Sequence, residues 1–233
     1  MNEAAKTLHF EDPLTYLPRK PVQEFARGRS IFDAQQPADH LYVIIVGRVK
    51  LGTTSDDGCQ IVNRIVGPEG LFGETCLLGF GGCESAVALD NTTVMAWSRT
   101  EVEHQIEQEP RLGIALSQFL VRQCLSLQGR IECMAVLKTP ERVMSALLQL
   151  ADETGSPAED GAIRIASLAH HTIAEYVGTS REIVTFQMNK LRRLGLIRYS
   201  RKYIDVYTHA VEESLRQRGA PVSRVAEAQT SLA

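Results

Sequence analysis

Residues 167–196 read SLAHHTIAEYVGTSREIVTFQMNKLRRLGL. Ile173, Ala174 and Val177 give a short helix one apolar side, and Gly178 supplies a residue that turns left-handed without steric cost. Thr179 or Ser180 then caps a second helix. Glu182 stands three residues after Thr179, the spacing of a capping box. Ile183, Val184, Leu191 and either Gln187 or Met188 form the buried side of this helix, and Gly195 closes it. Two short helices joined by a tight glycine turn make a helix-turn-helix. A hairpin follows from Ile197 to Tyr207, with Arg198, Tyr199, Ser200, Arg201 and Lys202 at its tip, in the position of a wing.

The charge is distributed to match. Over the whole chain the net charge is −3, yet Ala162 to His209 holds eight Lys/Arg against three Asp/Glu, a balance of +5. The remainder holds seventeen against twenty-five, a balance of −8. A basic segment on an acidic body fits one part that meets a polyanion and one that does not.

Upstream, Thr139-Pro140-Glu141 starts a helix with Thr139 as N-cap and Pro140 at the first helical position. Leu147, Leu148 and Leu150 make that helix apolar. Residues 154–161 form a polar loop, and Ile163 to Ala166 a short strand. Beyond His209 the chain turns polar and is expected to be weakly ordered.

Further back, no proline interrupts the chain from Pro110 to Leu137. Leu120, Cys124, Leu127, Ile131 and Met134 recur at 4-3-4-3 spacing, a coiled-coil seam. Leu112, Leu116 and Phe119 give the same helix a second apolar face. The seam predicts a homodimer, and the second face a body for the helix to rest on.

Residues 22 to 100 read as all-β. Leu41, Val43, Ile45, Val49 and Leu51 alternate with Tyr42, Ile44, Val46, Arg48 and Lys50, apolar on both faces at first and on one later. Turns are expected at 55–58 and at Pro68-Glu69-Gly70. Short strands at such spacing favour a barrel or sandwich. Four segments result: 1–109, a β-barrel domain with its N-terminal segment; 110–137, a dimerisation helix; 138–209, the winged helix-turn-helix; and 210–233, the tail.

Several classes are disfavoured. Apolar runs are broken well before about 18 residues, too short for a membrane-spanning helix, and residues 1–10 lack a signal-peptide pattern. Five cysteines, odd in number and without a CxxC pair, do not make a disulfide scaffold or a metal site; free thiols in the cytoplasm are expected. No P-loop, Gly-x-Ser-x-Gly or HExxH motif is present, so no catalytic residue is expected.

Taken in order, Gly73-Glu74 in the barrel, the long helix, the run from Gly178 to Glu182 reading GTSRE, the KLRRLGLI stretch and the hairpin ending IDVY resemble the cyclic-AMP receptor protein / fumarate–nitrate regulator family over residues 20–208. The resemblance implies an α+β chain: an N-terminal jelly-roll barrel of the cyclic-nucleotide-binding kind, a dimerisation helix and a C-terminal winged helix-turn-helix. It implies a transcription regulator that binds a palindromic double-stranded DNA site as a dimer, with RNA polymerase as a further partner. Arg181 can pair with guanine O6 and N7, and Glu182 can accept from a cytosine amino group, unless it serves only as a capping residue. Thr185 reaches a base or phosphate, while Ser180, His171, Lys190 and Lys202 suit phosphates. Arg192 and Arg193 read equally well as a solvated helix end. Relatives carry a second arginine one turn beyond the Arg-Glu pair. This chain has Phe186, which can meet only a thymine methyl, so the usual half-site does not transfer.

In nucleotide-binding relatives the Gly-Glu pair opens a phosphate cassette whose glutamate takes the ribose hydroxyl, and a later Arg-Ser pair takes the phosphate. Gly73 and Glu74 are present here, but Glu84 and Ser85 stand at the matching distance. A carboxylate replaces the cation and repels a phosphate. The long helix offers Leu127 and Gln128 where such relatives place hydroxyls. Cyclic AMP is therefore not expected to bind through the usual contacts, and no cofactor is specified. A nucleotide held by other contacts, a redox pair of Cys76 and Cys83, Cys124 meeting its twin across the seam, or effector-free binding are the alternatives.

Overall fold

A computed structural model describes residues 10–55, 58–79 and 82–218. A 3-10 turn at Pro13–Thr15 leads into eight strands: β1 (Val22–Phe25), β2 (Ser30–Phe32), β3 (His40–Val46), β4 (Val49–Thr54), β5 (Gln60–Val66), β6 (Leu71–Phe72), β7 (Ser85–Ala88) and β8 (Thr92–Ser98). They form two antiparallel four-stranded sheets, ordered β1-β8-β3-β6 and β2-β7-β4-β5. The expected barrel thus takes the form of two separate sheets with a shared core between them. Of the turn expected at 55–58, Ser55 and Gly58 are placed, with Gly58 at φ 81°, while residues 56–57 lie outside the described residues.

Alternation along β3 explains why both of its faces read as apolar. Tyr42 and Ile44 join Phe32, Leu51 and Phe72 between the sheets. Leu41 and Val43 face the other way and pack with Trp97, Val102, Leu112 and Leu116. The last two belong to α2 (Arg111–Val136), preceded by α1 (Arg99–Gln108). Helix α1 was not expected, although the sequence held its signal. Ser98 and Glu101 form a reciprocal capping box. The alternation lapses at the end of β3, where Ile45 and Val46 are exposed, and resumes in β4 with Val49 and Leu51 buried on either side of half-buried Lys50.

The C-terminal half comprises α3 (Thr139–Thr154), β9 (Ser156–Pro157), β10 (Ile163–Ala166), α4 (His170–Val177), α5 (Arg181–Arg193), β11 (Ile197–Tyr199), β12 (Tyr203–Val206) and α6 (Thr208–Gln217). Two expectations are corrected. Thr139 is the first helical residue of α3 rather than its cap, a place held by Lys138. The segment after His209 is not weakly ordered throughout. Thr208–Gln217 is helical because Val211 and Leu215 are buried in the core that contains α3. The tail beyond, 219–233, lies outside the described residues. No helix among the described residues is long and apolar enough to cross a membrane.

One core spans both halves: Val62 and Ile65 of β5 pack with Leu147, Ile173, Tyr176 and Met188. Polar ties flank it. Arg48 pairs with Asp90 at 2.7 Å and donates to the carbonyls of Ala166 and Ser167 at 2.9 and 3.1 Å. Lys50 meets Glu175 at 3.0 Å. Within the C-terminal sheet, Asp205 is 0% exposed and accepts from Arg164 at 2.6 Å and from Arg198 at 2.7 Å. These charge-assisted bonds, Arg164 foremost, hold its carboxyl below the usual range. A folded pKa below the unfolded value of about 3.9 gives stability that is present above that value and lost as pH falls through the folded one. Asp205→Asn is expected to cost about 2 kcal/mol at pH 7, discounted because both arginines are partly exposed. In urea denaturation the gap from the parent protein should shrink as pH falls below about 4.

Candidate nucleic-acid interface and sensor cassette

Gly178 has φ 72° and turns the chain between α4 and α5. Ser180, not Thr179, is the cap: its Oγ accepts from the Ile183 amide at 3.4 Å. Glu182 is therefore not the third-position partner of a capping box. Its exposed carboxyl is held low by its own backbone amide and by the Ser180 hydroxyl. Val184, Gln187, Met188 and Leu191 are the buried side of α5. Ile183 was expected there but is 42% exposed, because it sits at the edge of that stripe.

Opposite the buried side, Arg181, Glu182, Thr185, Phe186 and Asn189 line a shallow surface depression. Arg181 and Glu182 are exposed, and Phe186 is 59% exposed. An exposed aromatic face there can pack against a thymine methyl. Thr185 is less free than expected. Its hydroxyl donates to the Arg181 carbonyl at 2.9 Å, so it can only accept from His170 Nδ1 at 2.8 Å. Burial, and then the nearby Arg181 charge, hold His170 below its usual pKa, which keeps it neutral. Sequence reading missed His170 and Asn189. Asn189 donates to the Thr185 carbonyl and accepts from the Tyr199 hydroxyl, both at 3.0 Å, which ties the recognition helix to the wing. Arg192 stacks over Tyr199, 5.3 Å from the ring centre. His171 and Lys202 are exposed at the start of α4 and at the tip of the wing, and Lys190 is half-buried on the flank of α5. The arrangement offers base edges a donor in Arg181 and an acceptor in Glu182, framed by cations suited to phosphates.

In the cassette, Gly73 has φ 80°, and a Cβ there would lie 2.5 Å from the His40 carbonyl and 2.8 Å from the Tyr42 ring. Only glycine fits. It starts the 3-10 turn Glu74–Leu78. Glu74 is already engaged: Arg64, on β5, grips both of its carboxylate oxygens at 3.1 Å and also donates to the Leu71 carbonyl at 3.1 Å. Arg64 escaped sequence reading, since it lies outside the cassette and nothing in its spacing marks it. Burial and then the Glu74 charge raise the Glu84 carboxyl, against the pull of Arg64. Ser85 Oγ donates to the Gly52 carbonyl at 3.1 Å. Leu127 and Gln128 do not join this group within one chain: Leu127 is 48% exposed, and Gln128 donates to Glu132 at 3.3 Å. Burial pushes the Cys76 thiol up to about 11, which disfavours the thiolate a redox pair with Cys83 would need. No group of three or more potential metal ligands occurs among the described residues.

A two-sheet sensor with a cassette, followed by a long helix and a winged helix-turn-helix, defines a DNA-binding transcription regulator. The model of the cyclic nucleotide-binding domain matches residues 22–109, and that of the Crp-like helix-turn-helix domain residues 141–210. The CRP-like cAMP-activated global transcriptional regulator of Mycobacterium tuberculosis is 32% identical over 187 residues, which cover 79% of this chain and 83% of that protein. The global nitrogen regulator of Synechocystis is 30% identical, over 80% of this chain and 84% of that protein. A crystal structure of a CRP/FNR-family transcriptional regulator from Thermus thermophilus superposes with a TM-score of 0.65 at 26% identity, over 83% of this chain and 97% of that one. The chain belongs to the Crp/Fnr family of transcription regulators.

Replacing Arg181 with alanine should lower discrimination between a selected site and a scrambled duplex by about 10- to 100-fold in fluorescence anisotropy. Weak, salt-sensitive binding to both should persist, since phosphate contacts remain. Unchanged discrimination would remove Arg181 from base reading.

Proposed function

We propose that the protein is a cytoplasmic homodimer that reads a palindromic site through Arg181, Glu182 and Phe186, and whose cassette does not use cyclic AMP in the usual way. The observation that carries the second part is the Arg64–Glu74 pair. The glutamate that would take a ribose hydroxyl is held by an internal cation, and by the family resemblance Glu84 stands where nucleotide-binding relatives carry the phosphate-binding arginine. The mycobacterial relative is described as cAMP-activated; that property does not carry over to a pocket of reversed charge. Bringing a phosphate to Glu84 costs an unfavourable like-charge contact in a partly enclosed site.

Dimerisation is supported by exposure. Leu120, Leu127, Ile131 and Met134 are 40 to 67% exposed in the single chain, and Cys124 is exposed too. An open apolar seam of this kind on a helix invites a second copy. Pairing sets the separation of the two recognition helices, which must meet successive major grooves about 34 Å apart. Changes in that pairing would shift the population competent for DNA and for contact with RNA polymerase.

Titration of cyclic AMP in a calorimeter at several temperatures should give no binding heat. Micromolar binding would mean that Arg64 leaves Glu74 for the phosphate, and would overturn the reading. Separately, Ile131→Glu should leave each chain folded, because the side chain is 67% exposed. It should yield monomers in sedimentation velocity and weaken binding to a full palindrome at least about tenfold while sparing a half-site. A variant that stays dimeric would discard the seam.

A further inference from the structure

His170, the first residue of α4, stands between the recognition helix and the wing. Its Nδ1 lies 2.8 Å from the Thr185 hydroxyl of α5. Its ring meets the Tyr199 ring of β11 edge-on, with centres 6.1 Å apart and planes at 72°. Tyr199 donates to the Asn189 side chain, and Asn189 donates to the Thr185 carbonyl, each at 3.0 Å. Four residues from α4, α5 and the wing thus close a circuit of contacts around Thr185. All four are half-buried, so the circuit is partly shielded from water.

A threonine hydroxyl has one proton to donate and two lone pairs that accept. Thr185 spends its proton on the Arg181 carbonyl, one turn back at 2.9 Å. His170 is therefore the donor in the contact at 2.8 Å, which puts a ring proton on Nδ1. One lone pair of Thr185 remains. The residue lines the surface depression beside Arg181, Glu182 and Phe186, so that lone pair belongs to the reading face. Threonine in a helix otherwise divides between two χ1 rotamers, and a free hydroxyl turns to suit whatever it meets. Here two bonds hold the oxygen in one place and leave it an acceptor only.

We infer that His170 is a positioning residue for base reading: it fixes Thr185 as an acceptor that selects a base with a major-groove amino group, adenine or cytosine, at one position of each half-site. Guanine and thymine present acceptor atoms on that edge, and these would oppose the lone pair of Thr185. The role adds to the contacts of Arg181, Glu182 and Phe186, and it rests on the reading that this face of α5 meets base edges. A histidine that touched a phosphate would add affinity without selectivity. The two roles differ in what a substitution does.

The test combines site selection from a random duplex library with fluorescence anisotropy on the full chain. His170→Phe keeps an aromatic ring against Tyr199 but has no N–H to donate. It should relax the preference for an amino-bearing base at one position of each half-site about fivefold, the loss of one hydrogen bond, and spare the preference read by Arg181. The salt dependence of binding should stay as it is, because no phosphate contact is lost. Thr185→Val should lose the same preference at the same position. The double variant should be no worse than Thr185→Val alone, since His170 acts through Thr185. His170→Asn, whose amide N–H reaches the place of Nδ1, should restore most of the preference. In the free protein at pH 8, nitrogen NMR should find the neutral ring protonated on Nδ1. A proton on Nε2, additive effects of the two substitutions, or a uniform loss of affinity with the salt slope reduced by about one would overturn the proposal. A parent that selects a site which His170→Phe selects equally well would overturn the proposal alone. A parent that prefers no site would overturn base reading by α5, and the proposal with it.

Discussion

The guanidinium of Arg130 donates to three backbone carbonyls drawn from both halves of the chain. Two, Val62 at 3.1 Å and Asn63, lie on β5; the third, Tyr176 at 2.9 Å, lies in the last turn of α4. The same group lies 4.2 Å from the centre of the Tyr176 ring. An arginine presents rigid, planar donors, so a side chain shared in this way fixes angles as well as distances. Because Arg130 projects from the long helix, it sets three bodies against one another: long helix, sensor sheet and reader. Arg48 and Lys50 repeat the tie from the β4 side of the sensor. Around these contacts Val62 and Ile65 enter the core of the reader. A change felt by β5 or by α2 therefore has a direct mechanical route to α4, the first helix of the reading motif. Coupling of this kind needs two arrangements of the joint, and hydrogen bonds to carbonyls can be exchanged without unfolding either half.

Beyond that joint the reader is rigid where it must be. Asp205 binds Arg164 and Arg198 and so holds three strands of the wing sheet through one buried carboxylate. Tyr199 and Asn189 carry the wing's position to α5. What stays free on α5 is the face carrying Arg181, Glu182 and Phe186. Specific recognition needs this division, since side chains that must match base edges gain little if their scaffold moves.

In the sensor, opposite charges pair internally, although the buried Nε of Arg64 keeps no partner among the described residues. Arg64 and Glu74 neutralise each other, and Glu84 is raised by burial and by Glu74.

Local rules carried much of this from the sequence. Period-two alternation gave the strands, the 4-3-4-3 spacing gave the exposed seam on α2, and Gly178 and Gly195 bounded the recognition helix. Each depends on a residue's own conformational preference or on which face it presents, and neither needs a distant partner. Even the capping box of α1 was written there as Ser98 and Glu101. Tertiary structure alone decided that Arg64 grips Glu74, that His170 meets Thr185, that Asn189 meets Tyr199, and that Val211 and Leu215 order the helix after the wing. It also decided that Arg130 joins sensor to reader. These pairs are far apart in the chain or lack any periodic signature. A charged or polar side chain declares only its chemistry in sequence; its partner is fixed when packing brings two surfaces together and burial makes an unpaired group costly.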